Sequence, residues 1–280
     1  MPGTRRQRLA DVPPGAENPL QFALSQRDKS TISLVEQAIK HKQVLLAFQP
    51  VMQARSTDKV AFYEGLIRVL DSTGLVIPAG EFMGTIENTE LGRQLDTLAL
   101  GLGLRALHEN PDLRLAINMS ARSIGYRQWN RTLDRWLRRD DTIAERLILE
   151  ITESSAMLVP ELVVDFMDRL QIEGICFAMD DFGAGYTALR YFKDFYFDIL
   201  KIDGQFIQGI ASDTDNQALT AALVSIARHF DMLTVAEFVE TQEDADTLIR
   251  LGVDCLQGYH FAAATTRPHW LRAAETEKVM

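Results

Sequence analysis

Short apolar runs, each bounded by polar or turn-forming residues, recur along most of the chain. Runs of this length between turn signals are typical of buried β-strands. We predict eight strands, and the central one ends in two adjacent carboxylates, Asp180 and Asp181. The predicted strands cover residues 45–51, 60–70, 113–119, 146–151, 175–179, 199–202, 233–239 and 254–257.

Between these runs, apolar residues return at the spacing that places them on one face of a helix. Ser30 or Thr31 is a suitable N-cap for the first helix, in which Ile32, Val35 and Ile39 share a face. The predicted helices cover residues 31–42, 80–109 with a break near 88, 127–139, 159–172, 216–230 and 243–251. Strands and helices therefore alternate over most of the chain.

The connection lengths predict the topology. Only about eight residues separate the first two strands, whereas a parallel crossover needs a dozen or more, so this pair should be antiparallel. The later strands are joined by helix-length segments, which indicates a parallel sheet. Eight strands over roughly 230 residues favour an α/β fold of the (β/α)8 TIM-barrel type, modified by an antiparallel first strand. A doubly wound sheet is the alternative, but no Gly-x-Gly-x-x-Gly follows an early strand.

The start of the chain differs from the rest. Residues 1–29 are polar and rich in proline, glycine and arginine, and we predict a flexible N-terminal tail there. Residues 30–280 are expected to form one barrel domain, since they show no internal repeat and no sign of a second domain.

Composition limits the partners. The 280 residues carry a net charge of −10, which argues against binding to duplex nucleic acid or to an anionic membrane. The two cysteines, Cys176 and Cys255, lie in apolar runs and are expected as buried thiols in a reducing compartment. No apolar run reaches the roughly 18 residues of a membrane span, and no secretory signal opens the chain. We therefore expect a cytoplasmic protein without membrane insertion.

Polar residues stand inside or at the ends of the predicted strands. In a parallel barrel the C-terminal strand ends meet at one face, where active sites lie. Carboxylate and amide oxygens in this number suit two Mg²⁺ or Mn²⁺ ions, and paired ions are used for phosphoester hydrolysis. The residues concerned are Glu64, Asn118, Glu150, Asp180, Asp181, Lys201, Glu237 and Gln257.

Each of these residues alone has a structural explanation. A single carboxylate at a strand end is usually a loop ligand or a helix N-cap, and Asp181 is placed to cap the turn after it. Lys201 is compatible with an ordinary strand lysine. The functional interpretation depends on the recurrence of the same residue types at the same end of most strands.

The sequence resembles the EAL domain family of bacterial cyclic di-GMP phosphodiesterases. The resemblance spans about residues 30–268, and from it we expect a single EAL-type domain with no sensory domain attached. It is carried by FQPV (48–51), YEGLIR (63–68), INMS (117–120), LEITES (149–154), MDDFGAGYTAL (179–189), ILKID (199–203), AEFVE (236–240) and LGVDCLQGYHF (251–261).

The resemblance implies roles for single residues. One ion would be held by Glu64, Asn118, Glu150 and Asp180, and the other by Asp180, Asp181 and a water contacted by Glu237. The catalytic residues would be Glu64, Asp181, Lys201 and Glu237, with Lys201 holding the attacking water or the developing charge. Substrate would be bound by Gln49, Arg68 and Gln257, of which Gln257 also supports the metal site. Glu153 would anchor the glycine-containing loop after Asp181.

Four departures from the family pattern stand out. Gly65 replaces alanine in the signature triplet, which should be a mild change. Ala188 replaces a usual serine in the loop after Asp181, and a usual proline is missing after Phe261. Phe238 stands where the family usually has glycine, and its ring is expected to displace that strand end or to narrow the mouth. On that reasoning, Phe238→Gly leaves activity equal or higher.

The expected function is metal-dependent hydrolysis of cyclic di-GMP to linear pGpG by a water that two metal ions activate. The alternative is a catalytically weak or inactive cyclic di-GMP receptor that signals through protein partners, and a third reading is an interaction module that binds no nucleotide. A homodimer is expected through the elements after Asp181, although the aromatic residues at 191–197 are equally compatible with core packing.

Overall fold

The strands form a barrel that closes on itself. The computed structural model describes residues 19–183 and 193–271, with side chains from residue 24 onward. The strands found there are β1 (Val44–Gln53), β2 (Ser56–Leu70), β3 (Val76–Pro78), β4 (Leu115–Asn118), β5 (Leu147–Thr152), β6 (Cys176–Phe182), β7 (Ile199–Ile202), β8 (Leu233–Ala236) and β9 (Cys255–Leu256).

The strand order confirms the predicted barrel. Around it run β1, β2 and then β4 to β9 in sequence, and β9 pairs with β1 to close the ring. Strand β1 is antiparallel to both β2 and β9, while β2 and β4 to β9 are parallel to one another. The fold is therefore a modified (β/α)8 barrel with an antiparallel first strand.

Helices follow most of the parallel strands and cover the outside of the barrel. The described α-helices are α1 (Pro19–Lys40), α2 (Met83–Ile86), α3 (Glu90–Glu109), α4 (Arg127–Leu137), α5 (Glu153–Ala156), α6 (Pro160–Gln171), α7 (Gly204–Ile207), α8 (Thr214–His229) and α9 (Gln242–Leu251). Of the helices in these ranges, none combines the length and the apolar character that crossing a bilayer requires.

Three differences from the prediction stand out. Helix α1 begins at Pro19, so the predicted tail is wrong for residues 19–29, where a proline opens the helix. The first hairpin is tighter than expected, because residues 56–59 already belong to β2. Strand β3 is absent from the prediction; it is only three residues long and pairs with the end of β2.

The aromatic segment before β7 is only partly described. Phe195 and Phe197 are buried in the main core cluster, as the core alternative for this segment predicts, whereas Tyr196 is exposed. Tyr191, Phe192 and Ala188 lie outside the described residues, so the expected dimer surface stays a prediction.

Gly65 leaves room for a neighbouring side chain. A Cβ added at Gly65 on β2 would lie 2.7 Å from Ile117 Cδ1, and one added at Gly103 on α3 would lie 2.6 Å from the same atom. Ile117 is almost fully buried, so its side chain is held between the strand and the helix. The isoleucine thus fills the space that an alanine at position 65 would need.

We expect Gly65→Ala to lower the free energy of unfolding by about 1–3 kcal/mol, because it overpacks this contact. Combining it with Ile117→Val, which removes Cδ1, should cost less than the sum of the two single changes. Gly84→Ala is the control, since nothing lies within 4 Å of a Cβ there. Denaturant unfolding measures all four variants, and strict additivity would contradict the contact.

Candidate functional site

The pleat of the strands places a polar layer directly above an apolar one. Successive strand residues face opposite sides, so residues two apart share the barrel interior. One interior cluster takes one residue from each barrel strand: Val51, Phe62, Ala116, Ile148, Ala178, Ile199, Val235 and Cys255. Two positions further toward the mouth stand Gln49, Glu64, Asn118, Glu150, Asp180, Lys201, Glu237 and Gln257.

Lys201 lies at the centre of the polar layer. Its Nζ is 2.7 Å from Asp180 Oδ1, 2.9 Å from Glu150 Oε2, 2.9 Å from Glu237 Oε1 and 3.4 Å from Glu64 Oε2. Lys201 is 1% exposed and each of the four carboxylate residues is less than 9% exposed. These carboxylates are therefore buried beneath the mouth rather than exposed at it.

Amide side chains fix the orientation of Glu64. Asn118 Nδ2 donates to Glu64 Oε1 at 2.8 Å, and Gln257 Nε2 donates to Glu64 Oε2 at 2.6 Å. Gln257 Nε2 also lies 3.4 Å from Gln49 Oε1, and Gln49 Nε2 donates to the carbonyl of Ala262. Residues from β1, β2, β4 and the end of β9 are thereby joined in one hydrogen-bond network.

An irregular strand end lets two adjacent carboxylates face the same site. The pairing of β6 with β7 shifts register between Met179 and Phe182, and Asp181 has a φ of +53°. This break in the pleat turns Asp181 toward the side already occupied by Asp180. One carboxylate oxygen from each of Asp180, Asp181 and Glu237 lies within 4.8 Å of the other two.

Burial and like charges set the pKa values of the cluster. Burial raises the pKa of Glu237 to about 8, and burial together with the charge of Glu64 raises that of Glu150. Burial also acts on Glu64, but Lys201 and the amide hydrogen bonds prevail and lower its pKa. Burial and the neighbouring carboxylate raise the pKa of Asp181 to about 6. Lys201 stays protonated, since the surrounding carboxylates outweigh its burial and raise its pKa.

Two predicted residues lie above this layer. Arg68 is half-buried and lines a cavity of about 480 Å³ together with Gln49, Glu64, Asp181 and Glu237. Glu153, the first residue of α5, is buried, and its Oε2 accepts from the Gly183 N–H at 3.2 Å. Gly183 is the last residue described before the loop that Glu153 is predicted to anchor.

One buried carboxylate was not found from the sequence. Asp96 on α3 is 7% exposed, and its Oδ2 accepts from Ser123 Oγ at 2.6 Å and from the Ser120 N–H at 3.0 Å. It thereby fixes the turn that follows Asn118. The signal was present in the sequence, because Asp96 occupies a helical position between the apolar residues Leu95 and Ala99.

The carboxylate–lysine cluster lies at the C-terminal strand ends of an eight-stranded α/β barrel, where barrels of this type carry their active sites. The EAL domain family model matches residues 33–264. The chain therefore belongs to the EAL domain family, and the resemblance found in the sequence is confirmed.

Named relatives agree with this assignment. Over 238 residues the chain is 31% identical to the cyclic di-GMP phosphodiesterase PdeF of Escherichia coli K12, covering 83% of this chain and 32% of that protein. It is 31% identical to the bifunctional diguanylate cyclase/cyclic di-GMP phosphodiesterase MucR of Pseudomonas aeruginosa, covering 80% of this chain and 33% of that protein. The chain thus spans about a third of the length of these relatives.

A solved structure has the same fold. The PaMucR phosphodiesterase in complex with c-di-GMP superposes with a TM-score of 0.76 at 28% identity, covering 90% of this chain and all of that chain.

Lys201→Met tests the charge balance. The variant leaves four buried carboxylates without their counter-charge, and we expect the free energy of unfolding in EDTA to fall by about 3–5 kcal/mol. Lys59→Met, at an exposed position on β2, is the control and should change little. Equal stability of both variants would show that Lys201 is not the counter-ion of the folded state.

Asp96 should make the free energy of unfolding depend on pH, and replacing it should remove that contribution. Burial raises its pKa to about 6, so the folded carboxyl keeps its proton to a higher pH than the unfolded one. Its contribution therefore lowers the free energy of unfolding as pH rises from about 4 to about 6. We expect Asp96→Asn to show a smaller fall over this range and to be more stable near about pH 7.5, by roughly 1–3 kcal/mol. Parallel pH–stability curves for the two proteins would contradict this.

Proposed function

We propose that this chain is a metal-dependent phosphodiesterase that opens cyclic di-GMP to linear pGpG. The observation that carries the proposal is the cluster of Asp180, Asp181 and Glu237 at a cavity in an EAL domain, where Asp180 and Glu237 also contact Lys201. PdeF and MucR are named for this activity, which makes cyclic di-GMP the first substrate to test.

The donor set fits divalent cations. Within the described residues, Glu150 Oε1, Glu237 Oε2 and Gln257 Oε1 are buried without a hydrogen-bond partner. Burying an oxygen atom without a partner costs free energy unless a cation or a water molecule contacts it. Hard oxygen donors suit Mg²⁺ or Mn²⁺. We assign Glu64, Asn118, Glu150 and Asp180 to one ion, and Asp180, Asp181 and a water contacted by Glu237 to a second.

Such ions supply a water of lowered pKa and neutralise phosphate oxygens. Glu237 directs one oxygen to Lys201, and its Oε2 is available to accept a proton from the attacking water. The water oxygen bonds to phosphorus as Glu237 takes its proton, and the bond from phosphorus to the 3′ oxygen breaks. The 3′ oxygen then leaves as a hydroxyl by taking up a proton from solvent. The Lys201 ammonium stabilises the negative charge that develops on the phosphoryl group.

The cavity above the cluster is assigned to the nucleotide. Gln49 and Arg68 line it and offer an amide and a guanidinium to guanine or phosphate groups. Gln257 lines it too, and by donating to Glu64 it connects the substrate side to the carboxylate cluster.

Asp180→Asn tests the shared carboxylate. Asp180 is buried, so the isosteric amide is preferable to alanine, which would leave a cavity. We expect hydrolysis to fall at least about a hundredfold and Mn²⁺ binding, measured by calorimetry, to weaken. Asp168→Asn, on the exposed face of α6, is the control and should retain full activity.

Conversion of cyclic di-GMP to pGpG by the purified chain, with Mn²⁺ and with EDTA, tests the function as a whole. Conversion that requires the ion supports the proposal. Binding of cyclic di-GMP without conversion at saturating Mn²⁺ would place the chain with the receptors instead. Absence of both binding and conversion would leave an interaction module.

A further inference from the structure

Phe238 adopts a backbone conformation that favours glycine. Its φ is +53°, in the left-handed region, where the Cβ of an L-residue lies too close to the following carbonyl oxygen. The residue follows Glu237 directly, so the backbone turns just after a carboxylate of the cluster. The strain of this backbone conformation has to be offset by interactions that the phenylalanine ring makes.

The ring leaves Glu237 in place. Glu237 Oε1 remains 2.9 Å from Lys201 Nζ, and its carboxylate still lies with those of Asp180 and Asp181. The expectation that Phe238 displaces this strand end is therefore not met by the geometry. What remains is the effect of the ring on the cavity.

The absence of a side chain at Gly204 leaves space that the Phe238 ring occupies. A Cβ added at Gly204, the first residue of α7, would lie 2.5 Å from Phe238 Cδ2 and 2.8 Å from its Cγ. The ring is thus packed against the backbone on one side. On its other side it is open, because Phe238 is 53% exposed and lines the cavity above the cluster.

A fixed aromatic face in a nucleotide-sized cavity is suited to one kind of contact. Every nucleobase has a π-face, and stacking on an aromatic side chain stabilises its binding whichever base it is. Apolar ring surface left in water also gains free energy when a ligand covers it. Arg68 supplies positive charge in the same cavity, as a phosphate attached to that base requires.

We propose that Phe238 is a substrate-binding residue whose ring stacks on one purine base of the cyclic dinucleotide. The inference rests on the proposed function and adds to it the residue that holds a base. A phenyl ring cannot form the hydrogen bonds that distinguish guanine from adenine. The contact therefore strengthens binding of purine dinucleotides in general and does not select guanine over adenine.

The test replaces the ring and compares ligands with and without a base. Phe238→Ala and Phe238→Leu should raise KM for cyclic di-GMP about tenfold with kcat little changed, and Phe238→Trp should restore it. The inhibition constant of GMP, a competitive inhibitor, should rise about tenfold in the first two variants. The inhibition constant of ribose 5-phosphate, which has no base, should be the same in all of them. Tyr196→Ala, an exposed aromatic residue outside the cavity lining, is the control.

A second variant moves the ring without changing it. Gly204→Ala places a methyl group where the ring packs and should weaken binding of cyclic di-GMP in the same direction as Phe238→Ala. Calorimetric titration in EDTA measures binding to each variant independently of turnover. Thermal unfolding of each variant checks that the fold is retained.

The outcomes separate the two proposals. Wild-type chain that neither binds nor converts cyclic di-GMP would overturn the proposed function. Wild-type chain that does both, with Phe238→Ala unchanged in KM and binding, would overturn the stacking contact alone. A higher kcat/KM for Phe238→Ala or Phe238→Gly would show that the ring obstructs the mouth, as the sequence-based expectation holds.

Discussion

A single ammonium group lies between four carboxylates that water scarcely reaches. Taking charges of one sign out of water is costly, and the cost falls only when opposite charge and hydrogen bonds meet them. Lys201 supplies the opposite charge from β7, and Asn118 and Gln257 supply hydrogen bonds to Glu64 from either side. The arrangement works only if all these strands end at the same height. The apolar layer beneath the cluster fixes that height.

The sequence predicted this layer because its signal is local. A charged residue inside an apolar run, such as Lys201 or Glu150, must face the barrel interior or break the pattern, and its position along the strand follows from the period of two. The barrel itself followed from connection lengths, which are equally local. The chemistry of the site was thus visible in single strands before any contact between strands was known.

Other features required the three-dimensional structure. The helical pattern already indicates that Asp96 faces inward, but its partners Ser120 and Ser123 are distant in sequence and only the structure identifies them. Asp181 faces the site only because the strand register slips, and periodicity alone would direct it to the opposite side. The start of α1 was missed because residues 19–29 lack a regular apolar face, so their polar composition resembled a tail. Helix and strand propensities and hydrophobic periodicity do not include these tertiary effects.

The barrel closes through a short seam. Strand β9 meets β1 in only two residue pairs, Met52 with Leu256 and Gln53 with Cys255, and these partners are about two hundred residues apart in the chain. Joining such distant segments carries a loop-closure entropy that the rest of the barrel must already have offset. The hydrogen bond from Gln257 to Glu64 crosses the same seam. During synthesis Glu64 therefore lacks its Gln257 partner until about two hundred further residues have been added.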